Sequence, residues 1–578
     1  MKKITYIILF FAFALVGCDM NEQVFDRIDA TVYYQNEASV KGAVAAIYGN
    51  AAMSYLEYFW YLNEFSADQV VWRVWNGGLW GYDEGEKTVL STHTWTAESK
   101  IIRSTWETAW STIGLCNTLL GDFERLDAAS LGMTEEKLNT YIAEVRTLRA
   151  WAYYNCFELW GGAIPLYTAQ GGEIPGSADK DFQKGCEKVY DFICSELDAC
   201  YADLPQEDGS NATRNRMNQA VNRMIKMRML LNGEVFTGKA RFAECAVLAQ
   251  ELLDGKYGTY QLANDYRDIY HIENNTCPEV VMAFATEVGQ LNIGWMKNMP
   301  FLPYNIWENV GGTYEQSGWN CTCLAPSFDN SGEVQTLGGS TGAKSFLDAQ
   351  YNDKLGAVYE RFNKNDIRVK ENFRAEADGS WNGGFFLKGA MVSHDGTTPL
   401  KADADREGQD LVYVDQVGNF QGKGEHPLQV VENPRWGETN SGIRAAKYPY
   451  YNIDSPFNFC DPDVVEFRLA EVYYTYAECL LREGNSAEAK NWVNEVRKRY
   501  FSAADWTEAK DRAPRGFDAA FDEDRMLSEW GLEFLDEGHR RRTDLRRFDK
   551  FTQGQWWFFG RTTETGYDLP AKRDRKYE

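Results

Sequence analysis

Phe467-Arg468-Leu469-Ala470-Glu471-Val472-Tyr473-Tyr474-Thr475-Tyr476-Ala477-Glu478-Cys479 is the stretch that decides the fold. Leu469, Val472, Tyr473, Tyr476, Ala477, Leu480 and Leu481 recur at the spacing that lays one helix face against a core. Gly484-Asn485 stops that helix, and Asn485 with Glu488 supplies the cap of the next. The second helix lines up Ala489, Trp492, Val493 and Val496 on its buried side. Two amphipathic helices joined by a tight turn over about 34 residues make the unit of a helical repeat.

The same texture fills the first half of the chain. Helices are predicted over Ala38–Tyr61, Trp106–Phe123, Glu135–Trp160, Val189–Tyr201, Asn218–Thr237 and Phe242–Leu253, with Gly161-Gly162 closing the longest. A further helix is predicted over Arg525–Gly538, before a basic, aromatic tail. Between about 278 and 462 glycines, aromatics and polar residues take over, with short extended runs at Glu279–Phe284 and Leu411–Val414. The reading is a mainly α protein. A tetratricopeptide-like scaffold spans about 30–277 and 463–550, and a large loop-rich insertion with short strands spans about 278–462. Long loops on a rigid scaffold are where function concentrates.

The N-terminus carries an address. Lys2 and Lys3 precede an apolar run from Ile4 to Val16, and Leu15-Val16-Gly17-Cys18 follows. A basic start, a short apolar run and small residues at the cut describe an export signal over residues 1–17, and the run is too short for a spanning helix. Leu-Val-Gly-Cys resembles a bacterial lipobox, which makes Cys18 the acylated first residue of a mature domain over 18–578.

Composition narrows the partners. A net charge of −25 repels nucleic acid and anionic headgroups. Five scattered histidines give no zinc spacing, and no metal or cofactor is predicted. Cys116, Cys156, Cys194, Cys245 and Cys479 lie among apolar helical positions and read as buried free thiols. Cys321-Thr322-Cys323 falls in a loop.

These segments, in this order, resemble the SusD/RagB family of surface lipoproteins from Bacteroidota. The quoted stretch is close to the family's R-x-A-E-x-Y-L-x-Y-A-E-A pattern, and Asn494-Glu495-Val496-Arg497-Lys498-Arg499 matches N-x-V-R-x-R. Glu529 to Phe534, Glu537 to Arg540 and Asp544 to Phe548 resemble the family's acidic and basic C-terminal pattern, with one extra residue before Asp544. Arg149 to Tyr154 before Gly161-Gly162-Ala163-Ile164-Pro165 is similar to its R-A-x-x-Y-F and G-G-V-P elements. The resemblance implies a non-catalytic, lipid-anchored protein on the outer face of the outer membrane. It implies capture of oligosaccharides, or in some members peptides, and delivery to a SusC-like TonB-dependent transporter.

Sugar recognition needs flat rings against CH faces and polar groups for hydroxyls. Tryptophans cluster unevenly. Trp72, Trp75 and Trp80 stand in a glycine-rich stretch with Arg73 and Asn76, just after Asp68. Trp295, Tyr314 and Trp319 form a second group. These nine residues are the expected ligand contacts, chosen because neither a helical nor a strand period explains the first cluster.

Enzyme readings are weaker. Ser393-His394-Asp395 are adjacent in sequence, whereas a triad is assembled from separated positions. An α-helical glycoside hydrolase stays open as an alternative, because carboxylate separations are not legible in sequence. Glu533 and Glu537, with Arg540 to Arg542 beside them, read as ion pairs.

Overall fold

The computed structural model describes residues 33–73, 86–91, 93–168, 179–207, 214–287, 297, 299–303, 305, 318–328, 344–349, 354–375, 381–402, 406–419, 429–430, 438–448, 462–517 and 520–552. Helices dominate. α1 (Glu37–Met53) is capped by Asn36, whose side chain accepts from the Ser39 amide while Ser39 caps in return. A π-helical turn, Ser54–Phe59, then joins it to α2 (Trp60–Phe65), and the short strand β1 (Val70–Trp72) follows. The single helix expected over Ala38–Tyr61 is therefore broken by a widened turn whose rings face the core.

α3 (Lys100–Phe123) and α4 (Glu135–Trp160) pack side by side. Thr134 caps α4 by accepting from the Lys137 amide, Glu135 and Glu136 sit in its first turn, and Gly161 closes it at φ 57°. Its first half shows the expected single apolar stripe. From Thr147 to Trp160 every residue is buried, because α3, α5 (Phe182–Cys200) and α6 (Gln219–Leu231) enclose it. A helix buried on all sides loses its amphipathic period. Beyond Gly161, Gly162 lets the chain touch α5: a Cβ there would overlap the Phe182 carbonyl, and one on Gly185 would overlap Gly162.

α7 (Phe242–Leu253) packs on α8 (Leu469–Arg482), which pairs with α9 (Ser486–Arg497) as the expected helical hairpin. Asn485 caps α9 through the Glu488 amide. The chain passes into α8 without a linker from a buried strand, here β6 (Val464–Arg468). It runs antiparallel to β2 (Val280–Phe284), with Val464 opposite Phe284 and Arg468 opposite Val280 across a bulge. Tyr55, Trp151 and Phe284 cluster at ring distances of 5.1–6.1 Å, and Trp151 Nε1 donates to Glu466 at 3.1 Å. That cluster binds the N-terminal helices to the C-terminal strand. α10 (Glu523–Glu533) and α11 (Arg541–Arg547) complete the scaffold. α10 stops five residues short of the predicted Gly538, because Asp536, Gly538 and His539 all take positive φ. Among the described residues ten cysteines are free; Cys116, Cys156, Cys245 and Cys479 are buried as expected, and Cys194 is only half-buried.

Two consequences can be measured. Gly162→Ala places a methyl where backbone already sits, so it should lower the urea midpoint by the equivalent of about 1–3 kcal/mol. Glu64, at the end of α2, is fully buried with neither carboxylate oxygen hydrogen-bonded among the described residues. Burial, then the neighbouring Asp536, pushes its pKa up from 4.5 to about 8. A raised carboxyl stabilises the fold while protonated, an effect present below the unfolded value and lost as pH rises through the folded one. Glu64→Gln should therefore match wild type in thermal midpoint near pH 5 and exceed it near pH 9.

Candidate ligand-binding loops and their base

β1 pairs antiparallel with β3 (Thr322–Leu324): Val70 faces Leu324, Val71 faces Cys323 and Trp72 faces Thr322. The two aromatic-rich segments of the sequence, 72–82 and 295–319, thus adjoin one short ladder. The Arg73 amide extends the pairing to the Cys321 carbonyl at 2.7 Å, and the Ala325 amide closes it on Gln69 at 2.8 Å. On the other side, the Leu324 amide bonds Ile443, just before β5 (Arg444–Ala445), which itself pairs with β4 (Phe386–Leu387).

Three of the nine expected contacts lie in this base rather than on a ligand-facing surface, and here the sequence reading is corrected. Asp68 is 1 % exposed. Its carboxylate accepts from Arg541 Nε at 2.6 Å and Nη2 at 2.9 Å, and from the Gly356 amide at 2.8 Å. Burial alone would raise its pKa; the Arg541 guanidinium outweighs burial and holds the carboxyl below its usual range. Arg73 is fully buried and donates to the Asn320 carbonyl at 2.5 Å, to Asn320 Oδ1 at 2.8 Å and to the Glu438 carbonyl. Trp72 is buried edge-on against Phe65 (5.5 Å) and Tyr61 (6.0 Å), with the Lys87 ammonium 4.5 Å from its ring centroid. All three brace the root of the loop that follows them.

Trp319 is half-buried and packs against the core, with its amide bonded to the Met299 carbonyl at 2.7 Å. Trp75, Asn76, Trp80, Trp295 and Tyr314 lie outside the described residues, as does the predicted lipidation site Cys18.

A feature with no sequence signal organises this base. Asn320, at φ 53°, receives two guanidinium groups, Arg73 and Arg444 (2.9 Å to Oδ1). Arg444 also donates to the carbonyls of Thr439 (3.0 Å) and Gly442 (2.7 Å). Burial, and then the like charge of Arg73, lowers its pKa to about 10. Cys323 is buried under Gly442, where a Cβ would overlap its sulfur, and Cys321 Sγ approaches the Trp319 carbonyl at 3.0 Å. The C-x-C pair is therefore packing. Among the described residues no cluster of His, Cys, Asp and Glu has the geometry of a metal site.

A helical-repeat scaffold carrying a short β ladder on a buried arginine–asparagine base is the class this molecule defines. The chain belongs to the SusD family, whose model matches residues 278–578. It is similar to the starch-binding protein SusD of Bacteroides thetaiotaomicron, 25% identical over 490 residues that cover 83% of this chain and 76% of that protein. The SusD-like protein P25 of Formosa agariphila is 23% identical over 76% of this chain and 69% of its own length. Among solved structures, surface glycan-binding protein A from Bacteroides uniformis superimposes with a TM-score of 0.57 at 18% identity, covering 90% of each chain. The protein of that name from Bacteroides thetaiotaomicron, in complex with laminarihexaose, gives 0.54 at 16% identity over 92% of this chain and 96% of that one. These structural likenesses establish the fold.

The Asp68–Arg541 pair is directly testable. A depressed carboxyl contributes stability above its unfolded value and loses it as pH falls through the folded one. Asp68→Asn should be destabilised by about 3–5 kcal/mol at neutral pH, where it strands a buried guanidinium. Its deficit against wild type should shrink below pH 3.8, the ordinary value for this group, in urea titrations at stepped pH.

Proposed function

We propose that this protein is a cell-surface lipoprotein, tethered to the outer membrane through Cys18, that captures oligosaccharide on its loop aromatics. It then passes the glycan to a SusC-like TonB-dependent transporter. The observation that carries the reading is the β1–β3 ladder, which roots both tryptophan-bearing segments at one place on the scaffold. Trp75, Trp80, Trp295, Tyr314 and Trp319 are the rings assigned to sugar faces, with Asn76 for hydroxyls. Asp68, Arg73 and Trp72 hold the loop root. Two relatives whose names declare glycan or starch binding support the ligand class. The chain is assigned no catalytic step and no cofactor.

Energetics favour reversible capture. Covering about 45 Å² of ring at 25 cal/mol/Å² contributes roughly 1 kcal/mol per stack. A few stacks and hydrogen bonds, less the cost of ordering a flexible glycan, give a Kd of roughly micromolar to millimolar. Such a complex releases its ligand readily.

Affinity electrophoresis and calorimetry of the purified protein against starch, laminarin, other polysaccharides and peptides would test this. Trp75→Ala/Trp80→Ala and Trp319→Ala should weaken glycan binding by about tenfold or more per lost anchor, with the thermal midpoint unchanged. Trp72→Ala should instead lower the midpoint by the equivalent of about 3–5 kcal/mol, as loss of a core indole does. Peptide binding in place of glycan binding would move the protein to the peptide-capturing branch of the reading. Turnover of bound glycan would replace it with a hydrolase.

A further inference from the structure

A second concave site lies between the helical turn Val358–Arg361, the turn Ile367–Lys370, the residue after β4 and the segment 512–515, with Phe328, four residues beyond β3, in its wall. It encloses about 670 Å³, within the roughly 300–1,000 Å³ typical of small-molecule sites. Its charge runs against that of the chain. Lys364, Lys370 and Lys388 line it, all exposed, and among the described residues none has a carboxylate within ion-pair distance. Arg512 and Arg515 also reach it but are engaged, by Glu508 and Glu360 respectively. Asp415 is the remaining acid in the wall. It is 5 % exposed, accepts the Ser327 amide at 3.0 Å and interacts electrostatically with Lys388. Three lysines thus line one cavity of a protein of net charge −25, with Asp415 acting on Lys388 and no ion-paired acid on Lys364 or Lys370 among the described residues, a local excess of positive charge that favours a bound anion.

The rest of the wall suits a sugar ring. Phe328, Phe362 and Val369 supply an apolar floor, and the Lys388 ammonium stands 4.2 Å from the Tyr359 ring centroid, fixed by the aromatic face. Burial and nearby Asp415 raise the Tyr359 phenol to about 12, so it stays a neutral hydroxyl; it donates to the Val369 carbonyl at 3.3 Å, which leaves its oxygen to accept. We infer that this cavity is a second saccharide site that takes an acidic sugar. The carboxylate or sulfate would be held by Lys364, Lys370 and Lys388, with the ring over the apolar floor. The saccharide part rests on the glycan-capture reading above; the anion part rests on the cavity alone.

Calorimetry of the full protein with four probes separates these parts: oligogalacturonate, a sulfated oligosaccharide, a neutral oligosaccharide of equal length, and inorganic sulfate. Expected is binding of at least one acidic oligosaccharide that weakens with added salt and by about tenfold for each of Lys364→Met, Lys370→Met and Lys388→Met. The exposed lysines should be replaceable without change in thermal midpoint, and Lys239→Met, a surface lysine elsewhere, should have no effect. Trp75→Ala/Trp80→Ala should leave this acidic-sugar binding intact. Acidic-sugar binding that survives the triple lysine variant, or no acidic-sugar binding at all, overturns the site. Inorganic sulfate bound as tightly as the acidic oligosaccharide, or oligoglutamate bound in preference to it, overturns the saccharide assignment. If the lysine variants lose binding while the tryptophan variants change no glycan at all, the acidic site stands and the loop reading falls.

Discussion

The guanidinium of Arg468 is the constraint on which the rest of the molecule is hung. It sits where β6 becomes α8, is 1 % exposed, and meets three carboxylates from distant parts of the chain. Nη1 lies 3.0 Å from Glu279 and 2.8 Å from Glu533, and Nε donates to Glu537. Arg499 shares Glu279 and Glu533, and Lys447 shares Glu537 at 2.9 Å. Against burial, Arg468 and then Lys447 hold Glu537 down from 4.5 to about 2. So many buried charges bring little net stability relative to an apolar core, yet removing any one partner costs about 3–5 kcal/mol. The arrangement fixes geometry more than it adds stability. The positive φ values at Asp536 and His539 are the backbone's accommodation: the chain turns back on leaving α10 so that Glu537 reaches Arg468.

That turn carries the constraint outward to the loops. It places Arg540 over the Trp530 ring at 3.8 Å and against Glu471 at 2.9 Å, and Arg541 on Asp68. Asp68 stands two residues before β1. Buried ion pairs on the consecutive residues Arg540 and Arg541 therefore tie the helical hairpin to the root of the first tryptophan-rich segment. Buried, paired charges hold that root in one geometry.

Much of this was legible in the sequence, and the failures have physical causes. Glu135–Trp160 and Phe242–Leu253 were readable to the residue, because their apolar spacing was regular and, for the first, Gly161-Gly162 marked the end. The break at Ser54–Phe59 was not, since nothing local distinguishes a π turn from α-helix when both place large apolar side chains inward. The reading of Glu533 and Glu537 as ion-paired holds, but with different partners. Their cations are Arg468, Arg499, Arg368 and Lys447, and not the adjacent Arg540 to Arg542. At the loop root the aperiodic aromatics singled out segments that meet at the β1–β3 ladder through Trp72 and Thr322. They did not say which rings turn inward, because the groups that bury Asp68 and Arg73 lie 473 and 247 residues away in sequence.

The partition of charge explains why a family pattern so specific for fold is uninformative about ligand. Arg468, Glu471, Glu478, Arg497, Arg499, Glu529, Glu533, Glu537, Arg540, Asp544 and Arg547 all face inward and are ion-paired to one another or to nearby segments. Side chains consumed by the scaffold are unavailable for recognition. Discrimination between ligands is left to groups outside that pattern. Net charge averages over both populations. An acidic total therefore describes the long-range field and solubility of this protein, while the local sign of a cavity follows from which few cations the interior network has left unmatched.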